Sequence, residues 1–375
     1  MDLRAFYAAG TIVRGGHADQ LYDYEYERRL QNVVIGHRAN ALPFLYPPFA
    51  ALLFVPLSLL PYRLAFFGLL LFNVGLLFAI ARLLSPWLPA FAGHSSLLLP
   101  SLYGCLFAVP VALMQGQISF VLLLAYSGTY VLGRQKLNFA AGLLLSVALI
   151  KFQIALPVIL LFVLWRQWRV VSGFLVGAVG VIAVSLALVG RTGMMSYWHA
   201  MIGMAGSTAR NAAAGKARYG MFPTDMPNLH GLTYGLSHGA AWGSLLNLVL
   251  CCVVLGWAMR RKASLLVALP AAMLVSYHMQ PHDLTLLLLP LSFAGNELLL
   301  RRRVAESAVG SGQRQLIHAG MLCAFLLLLF PLAGIVMVDN IGYLVTVAVA
   351  IVMVAVAADQ GRAGRCRITV LCPTA

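Results

Sequence analysis

The sequence has little charge and very few acidic residues. Asp, Glu, Lys and Arg make up only 10% of its 375 residues, with 11 acidic side chains against 26 basic ones. Hydrophobic residues make up 61%, and the mean hydropathy is +0.87. One soluble core cannot bury that much apolar surface, so the chain needs lipid as a solvent. The composition therefore excludes an ordinary soluble enzyme and predicts an integral membrane protein.

The signatures of nucleotide, metal and disulfide chemistry are also missing. The sequence has no glycine-rich loop in a strand-to-helix setting and no Asp-x-Asp motif in its first 61 residues. Four of the six cysteines lie in apolar runs and two in a basic tail, without the spacing of a zinc site or a disulfide framework. We therefore expect neither a metal ion nor another cofactor.

What the sequence does contain is a series of apolar runs between residues 62 and 358, most of them about 17 to 25 residues long. Such runs can cross a hydrocarbon core of about 30 Å as helices. The runs lie at 62–84, 95–114, 117–133, 137–165, 170–190, 242–259, 264–281, 283–300, 315–335 and 340–358. The run at 137–165 is long enough for two short helices that break near Lys151. We predict an all-α polytopic membrane protein with about 10–12 transmembrane helices.

The net charge of +15 is concentrated in short clusters between these runs, which indicates membrane topology rather than nucleic-acid binding. The clusters are Arg134 with Lys136, Arg166 with Arg169, Arg260–Lys262, Arg301–Arg303 and the tail 359–375. All of them can be cytoplasmic if residues 137–165 form a hairpin. The outer side then receives Gln115–Gln117, Lys151, the loop 191–241, the stretch 278–283 and Asp339.

Residues 1–61 precede the first regular span and are predicted to form an external loop and a juxtamembrane segment. Four prolines interrupt residues 43–60, which favours a re-entrant or interfacial piece over a crossing. If this piece does cross, one later crossing is miscounted. No signal peptide or apolar helix precedes Asp2, so we expect either a misassigned start or the loss of a first helix. The predicted units are thus 1–61, the bundle 62–358 and the cytoplasmic tail 359–375.

Several motifs together resemble the first external loop of the family 87 glycosyltransferases, which belong to the GT-C superfamily of polyprenyl-phosphate-sugar-dependent enzymes. Those of the first loop are DLRAFYAAG at 2–10, GGHADQLYD at 15–23 and LPFLYPP at 42–48. The resemblance continues through QGQ at 115–117, KFQ at 151–153, MPNLHG at 226–231 and HD at 282–283. Each motif is weak alone, but their order and their shared side of the membrane make the set specific.

The resemblance implies a GT-C-like helical bundle that transfers a sugar, most simply mannose, from a polyprenyl-phosphate donor to a lipid or glycan acceptor. It implies a bacterial cell membrane, an active site on the non-cytoplasmic side and no nucleic-acid partner. Asp2 matches the general base of that superfamily, which takes the proton of the acceptor hydroxyl in an inverting displacement. The alternative for Asp2 is a solvated or helix-capping residue.

His282 and Asp283 begin an apolar run at the outer membrane boundary, where ionisable groups are costly unless they face a cavity or each other. In the resemblance they face the active site, and His282 is expected to bind the donor phosphate or assist proton transfer. His278 is expected to join it, although Pro281 argues against one regular helix. The alternative is a polar helix boundary with solvated histidines.

Three further residues are candidates for binding donor or acceptor. Lys151 is placed to contact the leaving phosphate, or else it snorkels to the interface. Gln117 is placed to hydrogen-bond sugar hydroxyls, or else it caps a helix end. Arg218 is placed to attract an anionic group, or else it belongs to a solvated loop. Tyr46 is expected to shape the first loop rather than to react.

Two other functions stay open at this point. A lipid or sugar transporter or flippase would also place His, Lys and Gln on the outer side of a helical bundle, although such proteins often contain internal repeats and none is convincing here. An inactive, truncated GT-C homologue would account for the missing first span.

Overall fold

The computed structural model describes residues 2–36, 39–92, 94–206, 223–305, 347–349 and 351–352. Within these ranges all regular structure is helical, without a strand. The predicted spans at 315–335 and, for the most part, 340–358 lie outside the described residues, as do Arg218, Asp339 and the tail 359–375.

Thirteen α-helices lie within the described part of residues 2–305, and residues 347–349 and 351–352 are helical as well. They are α1 Leu3–Arg14, α2 Tyr24–Ile35, α3 Tyr62–Leu84, α4 Leu98–Gly104, α5 Ala108–Gln115, α6 Ser119–Arg134, α7 Asn138–Leu145, α8 Phe152–Leu164, α9 Trp168–Gly206, α10 Leu229–Ser237, α11 Ala241–Met259, α12 Leu265–Val275 and α13 Leu288–Ala305. Short 3₁₀ helices join several of them, at Ala18–Gln20, Pro48–Phe54, Leu57–Leu59, Ser85–Trp87, Pro89–Phe91, Ser146–Lys151, Pro223–Asp225 and Pro281–Leu287.

Several helical segments are long and apolar enough to cross a membrane. By length and composition the described residues contain 4 of them, at Tyr62–Trp87, Asn138–Leu164, Trp168–Ile202 and Ala241–Met259. A fifth forms if α4 and α5, which meet at an angle of 77°, count as one broken span. The all-α polytopic prediction is confirmed. The total of 10–12 crossings stays a prediction.

The run at 138–164 is long enough to cross as one helix, but it reverses direction in its middle and forms a hairpin of two shorter helices. A Cβ atom added to Gly173 of α9 would meet the carbonyl oxygen of Phe139, and one added to Gly142 would meet the carbonyl oxygen of Val170. These two contacts place α7 and the start of α9 side by side and running in the same direction. Because each contact is made by backbone, the two helices approach as closely as glycine allows.

This packing fixes the course of α8. Only three residues join Leu164 to Trp168, so α8 must return to the end at which α7 began. A straight helix of 27 residues would instead carry the chain about 40 Å away. The turn lies at Ser146–Lys151, where the backbone leaves the α-helical region at Lys151 (φ −120°, ψ 70°). The predicted break near Lys151 and the hairpin are confirmed.

We expect Gly173→Val to destabilise the protein by about 1–3 kcal/mol, because the added carbons collide with backbone rather than with a movable side chain. The measurement is the thermal unfolding midpoint of the purified protein in detergent. Gly180→Val is the matched control, since Gly180 lies on the same helix and has open space around its Cβ position. Equal midpoints for the two variants would contradict the close packing of α7 on α9.

The hairpin brings basic clusters to one end of the bundle. The Trp165 indole N–H donates to the Met259 carbonyl at 3.1 Å, which ties the end of α8 to the end of α11. Arg166 and Arg260 therefore lie at the same end. The α6–α7 turn with Lys136 also lies there, because α7 starts beside the start of α9. The arrangement agrees with the positive-inside interpretation of the sequence.

Residues 43–60 lie against α1 as two short 3₁₀ helices. The Phe54 carbonyl occupies the space that a side chain at Gly10 would fill. The Tyr7 hydroxyl donates to the Leu60 carbonyl at 2.8 Å, and the Arg14 guanidinium donates to the Ser58 carbonyl at 2.5 Å. A segment built this way is not a regular membrane-spanning α-helix, whereas its re-entrant or interfacial position stays a prediction.

Helix α2 holds the extended chain that leads to Tyr46. The Gln31 side chain exchanges two hydrogen bonds with the Leu42 backbone, at 2.8 and 2.9 Å. The Glu27 carboxyl accepts from the Phe44 N–H at 2.9 Å. Burial raises the pKa of Glu27 to about 8, so this carboxyl is mainly neutral at pH 7. The strip at 42–46 is therefore fixed along most of its length.

Helix α9 extends into the predicted loop 191–241. The break at Gly190 has a backbone conformation (φ 64°, ψ −174°) that is open mainly to glycine. Beyond it, residues 191–206 are helical, and the rings of Tyr197 and Tyr22 lie 5.1 Å apart. The first part of that loop is therefore a helix that packs on the N-terminal segment.

Candidate active site

A cavity of about 610 Å³ opens at the end of the bundle opposite the basic clusters. Its walls come from the start of α1, the strip at 42–46, the α5–α6 turn, the hairpin turn near Lys151 and the stretch 275–282. The polar side chains that line it are Asp2, Tyr46, Gln115, Gln117, Lys151, Gln153, Tyr277, His278, Gln280 and His282. Five of the seven predicted site residues thus line one cavity. Asp283 lies directly beneath the cavity against Lys151, and Arg218 lies outside the described residues.

One wall is built around a buried ion pair. The Lys151 ammonium donates to the Asp283 carboxylate, and their side chains are only 5% and 1% exposed. Asp283 also accepts from the Gln280 N–H at 3.0 Å, at the start of the Pro281–Leu287 helix. Because both charges are paired and hydrogen-bonded, the pair is tolerated in an apolar setting.

His282 holds the ammonium from a second direction. Its Nε2 lies 3.1 Å from Lys151 Nζ, and its Nδ1 lies 2.9 Å from Gln115 Oε1. An amide oxygen only accepts, so the hydrogen-bond network assigns the ring proton to Nδ1 and leaves Nε2 to accept from Lys151. Both ring nitrogens of His282 are thus engaged. The Tyr46 hydroxyl is a further polar neighbour of the Lys151 ammonium.

A second wall, formed by the start of α1 and the α5–α6 turn, carries Asp2. Its backbone N–H donates to the Gln115 carbonyl at 3.1 Å, and its Oδ2 accepts from Gln117 Nε2 at 2.5 Å. The Asp2 side chain makes no capping bond to α1, so the helix-capping alternative does not describe its geometry. Within the described residues, Oδ1 has no protein hydrogen bond and is available to a substrate.

The turn Gln115–Gly116–Gln117 anchors this wall. Gly116 has a positive φ of 70°, and a Cβ added there would lie 2.9 Å from Cβ of Leu3. The Gln117 carbonyl also accepts from Asn73 Nδ2 at 2.9 Å, and Asn73 is fully buried. Glycine therefore lets the turn approach α1 closely enough for Gln117 to reach Asp2.

His278 comes from a loop that α10 supports. Asn228 Nδ2 donates to the Ser276 carbonyl at 2.6 Å, and the Ser276 hydroxyl donates to the His278 carbonyl at 2.8 Å. Asn228, from the MPNLHG motif, is fully buried. As expected from Pro281, His278 and His282 do not share one regular helix, yet both line the cavity.

Sequence reasoning assigned no role in the site to Tyr46 and Asn228. The Tyr46 hydroxyl donates to Gln117 Oε1 at 3.3 Å, and its ring centroid lies 5.8 Å from Lys151 Nζ. The only signal for either residue was its position within a motif. No group of three His, Cys, Asp or Glu side chains that could hold a metal ion occurs in the part of the chain that the structure describes.

Comparison with known proteins gives one match. The family model of glycosyltransferase family 87 matches residues 44–290, about two thirds of the chain. The matched range contains Lys151 and His282, whereas Asp2 precedes it. No curated protein and no solved structure matches the chain. The chain therefore belongs to glycosyltransferase family 87 and is a membrane-embedded glycosyltransferase.

Proposed function

We propose that the protein transfers a sugar, most simply mannose, from a polyprenyl-phosphate carrier to a hydroxyl of a lipid or glycan acceptor on the non-cytoplasmic side. The observation that carries this proposal is the presence of a carboxylate, Asp2, and a cation, Lys151, in the lining of one cavity. Glycosyl transfer needs a base for the attacking hydroxyl and a positive partner for the leaving phosphate.

Asp2 is the proposed general base. Its Oδ2 accepts from Gln117, so Oδ1 can take the proton of the acceptor hydroxyl as that oxygen attacks the anomeric carbon. The new C–O bond forms on the face opposite the phosphate, and the bond from the anomeric carbon to the phosphate oxygen breaks with its electrons. Such a single displacement inverts the anomeric centre, so a β-linked mannosyl phosphate gives an α-mannoside.

Lys151 is the proposed partner of the leaving phosphate. Asp283 and His282 each accept a hydrogen bond from its ammonium and hold it at the cavity wall. A charge-assisted hydrogen bond from an ammonium held in this way stabilises the charge that develops on the phosphate without reorganising the site. In this scheme His282 acts by orienting Lys151, since both of its ring nitrogens are occupied.

The proposal of a lipid-linked donor is supported by the wall that α8 contributes. Leu156 lines the cavity and is still 49% exposed on the bundle surface. Leu160, one turn further along, is 43% exposed. An apolar helix face that leads from lipid into a polar cavity suits a substrate with a phosphate head and a hydrocarbon tail.

The proposed orientation can be tested by labelling single cysteines in a cysteine-free background. We expect a membrane-impermeant maleimide to label Asp19→Cys on intact cells, and Lys136→Cys and Arg166→Cys only after permeabilisation. Asp19 is exposed near the cavity end, while Lys136 and Arg166 flank the hairpin. Labelling of Lys136 and Arg166 from opposite sides would contradict the hairpin. Labelling of Asp19 only from inside would place the cavity at the cytoplasmic face.

The activity itself is tested with membranes that contain the full chain. We expect radiolabelled mannose to pass from polyprenyl phosphate mannose into the lipid extract or an added glycan, and not from a nucleotide-linked mannose. Transfer from the nucleotide-linked sugar alone would overturn the proposed donor. Movement of the labelled carrier across vesicles without glycosidic product would favour a flippase.

A further inference from the structure

We infer that Tyr46 is a positioning residue, which fixes the Gln117 amide and through it the direction of the Asp2 carboxylate. This inference rests on the proposed role of Asp2 as the base. Tyr46 lies on the 42–46 strip and reaches both walls of the cavity. It touches neither the reacting hydroxyl nor the phosphate in this scheme, so its effect passes through Gln117.

The two hydrogen bonds of the Gln117 side chain show how Tyr46 acts on the Asp2 carboxylate. The Tyr46 hydroxyl donates to Gln117 Oε1 at 3.3 Å, and Gln117 Nε2 donates to Asp2 Oδ2 at 2.5 Å. An amide has an acceptor at one end and donors at the other. A donor at Oε1 therefore keeps the N–H end towards Asp2. A rotated amide would set its oxygen against the carboxylate, which is repulsive.

Tyr46 is itself held rigidly, which a positioning role requires. Its ring packs against Phe6 with centroids 5.2 Å apart, and against Phe44 with centroids 5.6 Å apart. The Tyr22 hydroxyl donates to the Tyr46 carbonyl at 2.7 Å. The ring face also lies below the Lys151 ammonium. The hydroxyl therefore has little freedom to leave Gln117.

The charged and titratable groups around Asp2 come from several elements. Arg4 lies on the same helix, Tyr62 begins α3, and Lys151 and Asp283 lie on the cavity side near Tyr46. Tyr46→Phe retains the ring and removes only the hydroxyl, which interacts with Lys151 as well as with Gln117. The part of the change that passes through Gln117 is therefore the part that disappears when Gln117 is already removed.

The test is a double-mutant cycle on transfer rates. We expect Tyr46→Phe to lower kcat about tenfold with KM changed less than about twofold, since the base loses the donor that orients Gln117 whereas Lys151 keeps Asp283 and His282. In a Gln117→Ala background, Tyr46→Phe should have a much smaller effect, limited to its contact with Lys151. Additive losses would overturn the inference. So would an equal loss in Tyr22→Phe, the matched control that loosens the same strip without touching Gln117.

A second measurement does not depend on turnover. The carboxylate stretching band of Asp2 is identified as the infrared band that disappears in Asp2→Asn. We expect this band to shift in Tyr46→Phe in the same direction as in Gln117→Ala, and to stay in place in Tyr22→Phe. A shift in the absence of any sugar transfer would support the positioning role and refute the proposed function. Sugar transfer with an unshifted Asp2 band would support the proposed function and refute the positioning role of Tyr46.

Discussion

Asp2→Asn should lower sugar transfer by about 10²- to 10⁴-fold, the range that general-base catalysis supplies. Asparagine keeps the size of the side chain and can still meet Gln117, but it cannot take the proton of the acceptor hydroxyl. The measurement is the rate at which radiolabelled mannose passes from polyprenyl phosphate mannose into product. Binding of the donor should change little, because the proposed partner of its phosphate is Lys151 and not Asp2.

Asp19→Asn is the matched control for this prediction. Asp19 belongs to the same N-terminal segment and is exposed, and it does not line the cavity. Its variant should transfer sugar at the wild-type rate. Full activity of Asp2→Asn at equal expression would remove Asp2 from the role of base, and it would leave the family assignment untouched.

Breaking the Lys151–Asp283 pair should have the largest effect on stability. Lys151→Met leaves the Asp283 carboxylate buried without its cation, which costs about 3–5 kcal/mol. We expect a lower thermal unfolding midpoint in detergent and no transfer. Replacing both partners, as in Lys151→Met with Asp283→Leu, removes the unpaired charge. The double variant should therefore recover most of the stability and none of the activity.

The exposed pair Arg28–Glu25 provides the comparison. Its side chains are 39% and 62% exposed, and solvent-exposed pairs contribute about 0–1 kcal/mol. Arg28→Met should therefore leave the unfolding midpoint almost unchanged. If Lys151→Met unfolds at the wild-type temperature, the buried pair does not stabilise the folded protein. If the double variant still transfers sugar, the proposed phosphate contact is wrong.

Much of the fold could be predicted from sequence because lipid imposes simple rules on it. A crossing helix needs a long apolar run, and cationic residues collect at one face. The hairpin followed from these rules, since the basic pairs flanking residues 137–165 had to share a side. Four prolines were enough to predict that residues 43–60 do not form a crossing helix.

The contacts within the cavity could not be predicted from apolar runs, charges and prolines. Lys151 and Asp283 are 132 residues apart in the chain, and nothing in either neighbourhood indicates that they pair. The sequence indicated only that Tyr46 lies in a loop, because a motif gives the place of a residue in the chain and not the side chains that it contacts. The sequence did not predict the helix at 191–206, because the apolar pattern weakens after Gly190. In the structure this helix packs on the N-terminal segment, and such a contact between distant parts of the chain cannot be read from the pattern.

The side of the cavity next to α8 determines whether the relevant substrate concentration is the one in the membrane or the one in the buffer. Because Leu156 both lines the cavity and is exposed on the bundle surface, the proposed carrier-linked sugar would arrive by lateral diffusion in the plane of the bilayer. Occupancy then follows the mole fraction of carrier in the membrane and not its amount per volume of buffer. Diluting vesicles with water should leave the rate per protein unchanged, whereas diluting the carrier with additional phospholipid should lower it in proportion.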